Sequence, residues 1–385
     1  MEIVVACDSF KGCMSAPEAV RSIEKGICRA DPGHKVRSYP MADGGEGTAE
    51  VFARYGKGRL VDCPVVDAYG KPVMARYCWN EKDKVAIMDA ASAIGLSRTP
   101  RDRRNPMIAS SSGVGMLMRD AIDRGAKEII MGLGGTATND GGMGLLAEFG
   151  AVFYDSSRQI LPPCTYSLGR IAFIDKRRCR LPRHVKITVA CDVKNHLLGE
   201  NGATYVFGRQ KGLYRTQMVQ VDEAMVHYRD KIRQTFHVDM DEQDGSGAAG
   251  GIGGLLLAVF GARMVPGIEL IMEYSGLEDA IAKADMVITG EGQTDRQTLF
   301  GKVPYGVASL AKKHGVPCIC LSGALGAGYE GMYDAGCIGV FSTADRAMDF
   351  TTALRTGKQK LEDLAFGIMK MTDGLRPETA QNDHK

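Results

Sequence analysis

A chain of 385 residues exceeds what one hydrophobic core usually organises, so two domains of moderate size are expected. Lys+Arg 48 against Asp+Glu 46 leaves a formal charge of +2, and no strong field points to nucleic acid or to an anionic membrane surface. Glycine is the outlier, 48 residues against only 14 prolines, which excludes a linker or collagen texture and indicates an ordered protein with many tight turns.

In chain order, residues 2–8 form a short β-branched run, and Ser15-Ala16-Pro17-Glu18 reads as a capping box with proline in the first helical turn. Ala16, Ala19, Val20, Ile23 and Ile27 then recur at helical spacing. A second strand near 36–41 leads through a glycine turn, residues 42–47, into a short helix. Between about 58 and 90 the pattern alternates around Tyr-Gly-Lys-Pro, which predicts a hairpin. Residues 109–135 read as a helix and then a strand, 185–193 as a strand, and 216–235 as a long amphipathic helix. Strand-like runs return at 285–292, 316–326 and 337–342, each beside a helical segment. Five strand-and-helix units predict a parallel, doubly wound α/β sheet. It belongs to a first domain made of both chain ends, 1–60 and 284–385, with a mixed α/β domain, 61–283, inserted between them. The closing QNDHK is expected to fray.

The opening MEIVVACDSF has no basic leader followed by an apolar core, and the uncharged run 245–262 carries seven glycines, so neither a signal peptide nor a bilayer span is read. The eleven cysteines are odd in number and form no Cys-x-x-Cys pair; they read as reduced core thiols of a cytoplasmic protein.

Several polar, mostly glycine-bearing segments carry the candidate chemistry. Asp8-Ser9-Phe10-Lys11-Gly12 ends the first strand, where open α/β sheets bind ligands, and a Lys beside a hydroxyl suits an anion; a solvated lysine at a strand exit is the plainer reading. Asp43-Gly44-Gly45-Glu46-Gly47 can offer carboxylates to Mg²⁺ or a base to a hydroxyl, or can be a simple Asp-Gly turn. Residues 132–144, GLGGTATNDGGMG, follow a strand and precede a helix; bare backbone N–H groups of Gly134 and Gly135 with Thr136, Thr138 and Asn139 suit phosphate, and Asp140 could face it as metal ligand or base. Asp192 ends another strand, with Arg209 and Lys211 downstream. The glycines of 245–254 suit a close approach of ligand or of packed backbone equally well. Glu291, Thr294, Asp295 and Lys302 make a polar group at a later strand exit. Absent are a P-loop, a protein-kinase HRD or DFG set, an H-E-x-x-H zinc motif and a G-x-S-x-G elbow.

Taken together, DSFKG, MADGGEGT, GLGGTATNDGG, DVKN, FGRQKG, GAAGGIGG and VITGEGQTDRQT with the following Gly301-Lys302 resemble, in this order and spacing, the bacterial glycerate kinases that phosphorylate D-glycerate with ATP. The resemblance runs from Ile3 to about Ser342. It implies a two-domain α/β architecture with a Rossmann-like domain, an active cleft between domains, Mg²⁺ and ATP as cofactor and donor, and 2-phosphoglycerate as product, with 3-phosphoglycerate as the alternative. The chain departs from the family pattern at His196, at Gln293-Thr294 and at Met116.

Phosphoryl transfer needs alignment, charge neutralisation and a proton acceptor more than covalent help. On that footing Lys11, Asp43, Asp192 and Asp295 are the expected catalytic residues, with Asp43 or Asp192 as base. Asp8, Ser9, Gly134, Gly135, Thr136, Thr138, Asn139, Arg209, Lys211, Glu291 and Lys302 are expected to bind glycerate or phosphate, and Asp140, Asp192 and Asp295 to bind metal. The partners expected are small molecules, with neither nucleic acid nor membrane among them; an oligomer is left open. Two rival readings are a nicotinamide-dependent hydroxy-acid oxidoreductase, resting on the glycine turn, and a non-catalytic carboxylate-binding protein.

Overall fold

A computed structural model describes residues 1–375 apart from Asp43 and Glu46. The strands in chain order are β1 (Glu2–Cys7), β2 (Lys35–Pro40), β3 (Arg59–Val66), β4 (Pro72–Asn80), β5 (Val85–Asp89), β6 (Glu128–Gly132) and β7 (Val152–Tyr154). They continue as β8 (Phe173–Asp175), β9 (Lys186–Ala190), β10 (Arg263–Val265), β11 (Met286–Thr294), β12 (Cys318–Leu325) and β13 (Cys337–Ser342). The helices are α1 (Ala16–Ala30), α2 (Thr48–Arg54), α3 (Ala90–Ile94), α4 (Ser112–Asp123), α5 (Met143–Glu148), α6 (Ala203–Lys211) and α7 (Met218–Phe236). Then follow α8 (Ile252–Ala258), α9 (Gly267–Ser275), α10 (Leu277–Ile281), α11 (Val303–Lys313), α12 (Gly331–Ala335) and α13 (Phe350–Gly374).

The chain divides into two compact units, one made of Met1–Ala42 with Ile271–Lys385, the other of Asp43–Leu270. These divisions differ from positions 60 and 284 read from the sequence. The α2 helix lies with the inserted unit because it packs on β4 and β5, burying Val51 and Phe52, and because Asp89 at the end of β5 accepts from Gly47 N and Ala49 N. Leu277, Ala280 and Ile281 of α10 are buried beside α11, which puts that stretch with the chain ends.

The first unit holds a five-stranded sheet, β13-β12-β11-β1-β2, every pairing parallel. Its inner strands β1, β11 and β12 carry near-continuous buried runs, as strands covered on both faces require, while the edge strand β2 is exposed or half-buried along most of its length: Ile3, Val5, Ile288, Ile319 and Leu321 join Val20, Ile23 and Ile27 of α1 and Leu361, Ile368 and Met369 of α13 in one core. The capping box at Ser15 and Glu18 starts α1 as expected, with Ser15 N donating to Glu18 Oε2 at 2.9 Å. The β11 strand runs further than expected, through Gly290-Glu291-Gly292 to Thr294, because β12 continues alongside it and pairs Glu291 with Ser322 and Thr294 with Leu325.

The inserted unit is built on a six-stranded mixed sheet, β10-β9-β6-β5-β4-β3. Here β3 and β4 form the hairpin read from the Tyr-Gly-Lys-Pro turn, and β4 pairs antiparallel with β5. The remaining pairings are parallel, so the carboxyl ends of β5, β6, β9 and β10 all lie at one end of the sheet. Trp79, Tyr77, Met88, Leu117, Ile129, Tyr228 and Leu255 centre its core. Among the described residues no helix is long and apolar enough to cross a membrane, and all eleven cysteines are free thiols.

Candidate functional site

In the inserted unit, the loop that leaves β6 runs against Gly44 and Gly45. A Cβ on Gly132 would stand 2.3 Å from Gly44 O, and Gly134 N donates to the same oxygen at 3.3 Å, so the two glycine segments meet backbone to backbone. No larger residue permits that approach. Gly134 and Gly135 lie at the rim of this turn, while Thr136, Thr138, Asn139 and Asp140 are buried.

Asp140 is fully enclosed. Its Oδ2 accepts from Ser111 N and Ser111 Oγ, both at 2.8 Å, and from Gly144 N at 3.1 Å, while Oδ1 accepts from Gly142 N at 3.2 Å. Burial pushes its carboxyl up, and these four donors pull it back. Both oxygens hold the loop, and the carboxylate expected as a metal ligand is enclosed by the segments it ties together. Ser111 is the partner the sequence reading missed; its signal was the Ser110-Ser111-Ser112-Gly113 run that opens α4.

Lys211 is equally hidden, with 2% of its surface exposed at the end of α6. Its Nζ donates to Thr138 O at 2.7 Å, and burial pulls the ammonium down to about 8, against the raising effect of Asp140. It therefore lies behind the loop, where direct contact with a dissolved substrate is closed to it. Arg209, two residues earlier, is exposed. Asn139 Nδ2 donates to Thr204 Oγ1 at 3.1 Å, linking the loop to α6. Asp192, at the exit of β9, accepts from Gly267 N at 2.9 Å and so ties the exits of β9 and β10 together. The glycines of 245–254 serve close backbone packing: a Cβ on Gly250 (φ +68°) would stand 2.2 Å from Thr138 O, and Gly141 N donates to Gly250 O at 2.9 Å. Asp43, expected as a base, lies outside the described residues.

In the first unit the polar group gathers at the carboxyl ends of β1 and β11, which pair side by side with Cys7 opposite Gly290. Asp8 is buried and its Oδ1 accepts from Ser9 N at 2.6 Å, while Lys11 is exposed in the turn that follows. This turn lies against the GEG segment, since a Cβ on Gly292 would stand 3.1 Å from Lys11 N. Glu291 is 6% exposed. Its Oε1 accepts from Thr298 Oγ1 at 2.6 Å and Thr294 Oγ1 at 3.3 Å, and its Oε2 stands 3.9 Å from Lys302 Nζ. Burial pushes the Glu291 carboxyl up, and the Thr298 hydroxyl and the Lys302 ammonium hold it down. Ser322, which the sequence reading did not single out, shares a 2.6 Å hydrogen bond with Thr294. Asp295 is only half-buried and accepts from Gln297 N and Gln293 Nε2.

The two clusters differ in chemistry. One is a backbone-rich loop with hydroxyls; the other is a carboxylate, lysine and threonine group. A hard cation such as Mg²⁺ takes one or two carboxylate oxygens and completes its shell with water and phosphate. Asp192 and Asp295, at strand exits and partly exposed, fit that donor set, and Asp140 does not.

Comparison with known proteins gives a consistent result. The model of the glycerate kinase family matches residues 3–373. A glycerate kinase of Halalkalibacterium halodurans is 40% identical over 368 residues, 95% of this chain and 97% of the relative. A glycerate 2-kinase of Escherichia coli is 40% identical over 344 residues, 89% of this chain and 90% of the relative. A crystal structure described as that of a glycerate kinase 2 from Salmonella typhimurium LT2 superposes with a TM-score of 0.79 at 37% identity, covering 97% of this chain and 98% of that one.

Proposed function

The chain belongs to the glycerate kinase family, and on that premise we propose that it transfers the γ-phosphoryl group of ATP to the 2-hydroxyl of D-glycerate, with Mg²⁺ accompanying the nucleotide. It is an enzyme, a kinase whose substrates are glycerate and ATP. The observation that carries this reading is the match of the family over residues 3–373. The choice of the 2-hydroxyl follows the Escherichia coli relative named for that position.

Phosphoryl transfer is a problem of placement and charge. Gly134 N is taken by Gly44 O and Ala137 N by Ile94 O, so the turn at Gly135 and Thr136 is the part that cradles a phosphate; the exposed cations Lys11 and Arg209, with the half-buried Lys302, neutralise phosphate or the glycerate carboxylate. Asp8, Ser9 and Glu291 shape the polar wall beside Lys11 and Lys302. Asp192 or Asp43 takes the proton of the attacking hydroxyl, and Asp192 or Asp295 supplies the carboxylate oxygen for Mg²⁺, whose chemistry there is to neutralise charge on the phosphates.

The test is release of ADP by the purified enzyme in Mg²⁺-ATP. The expected result is turnover that appears on adding D-glycerate; equal ADP release with and without it would refute the assignment.

A further inference from the structure

We propose that Lys211 is a positioning residue for phosphoryl transfer: its ammonium, buried behind the glycine loop, fixes the Thr138–Asn139 segment against the exit of β6 from below. Lysine is rarely fully buried without a pairing or a task. Here its hydrogen bond goes to a main-chain oxygen, Thr138 O at 2.7 Å, and Gly250 is crowded against the same contact, a Cβ there standing 3.0 Å from Nζ. The carboxylate whose charge acts on it, Asp140, gives its oxygens to four other donors. The pair thus holds the loop from two points, Asp140 at 142–144 and Lys211 at 138.

Polar atoms without hydrogen-bond partners gather in the same place. Thr138 Oγ1, Asn139 Oδ1 and Tyr228 Oη are all buried and unpartnered, and Tyr228 lies under Gly141, whose Cβ would stand 2.6 Å from its ring. Such atoms destabilise a fold, and a core selected for stability alone would replace them with apolar groups. A buried cation in the same company therefore serves the geometry of the loop above it more than the stability of the unit.

The inference rests on the kinase reading, so wild-type enzyme is assayed first; absence of glycerate-dependent ADP release refutes that reading and not the geometry. With active wild type, full-length K211M and K211Q are compared by urea midpoint, by kcat and by KM for ATP and for D-glycerate. Expected are folded variants with kcat lowered about 100-fold and KM raised for one of the two substrates only. In K211A, propylammonium replaces the atoms removed, and it should restore turnover saturably. Wild-type kcat and KM values in folded K211M overturn the proposal, as does a folded, impaired K211A that propylammonium does not rescue. Failure of all three variants to fold would make Lys211 a structural residue and overturn it equally.

Discussion

At the scale of single residues, the glycine-rich motifs told which backbone must pass close to which, but not which polar side chains face a ligand and which hold the loop. Asp140 and Lys211 read as site residues in sequence, and both turn out to be enclosed. The difference lies in partners far apart in the chain, Ser111 for one and Thr138 for the other, which spacing cannot reveal. Glu291 is the opposite case, a buried carboxylate at a strand exit with two hydroxyls and Lys302 as company. A folded-state pKa raised by burial means that the ionised carboxyl weighs against folding. The stabilising contribution is present below its unfolded value of about 4.5 and is lost as pH rises through the higher folded value. Glu291→Gln keeps an acceptor for Thr298 and Thr294 and removes the charge. At pH 7 it should raise stability by about 1 kcal/mol and lower kcat at least about 10-fold, with the stability gain disappearing toward pH 4. Urea titrations at the two pH values and steady-state kinetics check both halves.

At the scale of elements, α1 and the pairing of β3 with β4 were legible because each carries a local signal, a capping box in one and a turn flanked by alternation in the other. The α13 helix was read only as a helical segment beside 337–342, without bounds, although Leu361, Ala365, Ile368 and Met369 recur on one face at helical spacing; the charges around them and Gly357 and Gly367 mask the stripe. It packs on α1 so closely that a Cβ on Gly26 would stand 2.3 Å from Glu362 O. Gly26→Ala should therefore destabilise the protein by about 1–3 kcal/mol, seen as a lower urea midpoint. The same two helices share an ion pair, Lys358 Nζ to Glu18 Oε1 at 2.6 Å, and that hydrogen bond, with those of Ser15, holds the Glu18 carboxyl down at about 2. A depressed carboxyl stabilises above its unfolded value and loses that contribution as pH falls from about 4.5 toward 2. Glu18→Gln should cost about a few tenths of a kcal/mol at pH 7, the worth of an exposed pair, and nothing near pH 2. Thermal melts at both pH values decide it.

At the scale of the molecule, alternation of strand and helix at both chain ends indicated a parallel sheet, and five parallel strands are found there. The position of each unit's edge was less legible, because Asp89 capping the start of α2 is a tertiary contact across 40 residues. Function was legible through the ordered set of motifs rather than through any one of them, and the family match covers that stretch and runs on to residue 373. The transfer itself is measured most directly by phosphorus NMR of the enzyme with Mg²⁺-ATP and D-glycerate. A new phosphate ester split into a doublet by the single C2 proton is the predicted result. A triplet, from the two protons of C3, would contradict the assigned hydroxyl, and ATP left intact with no new ester would contradict the kinase itself.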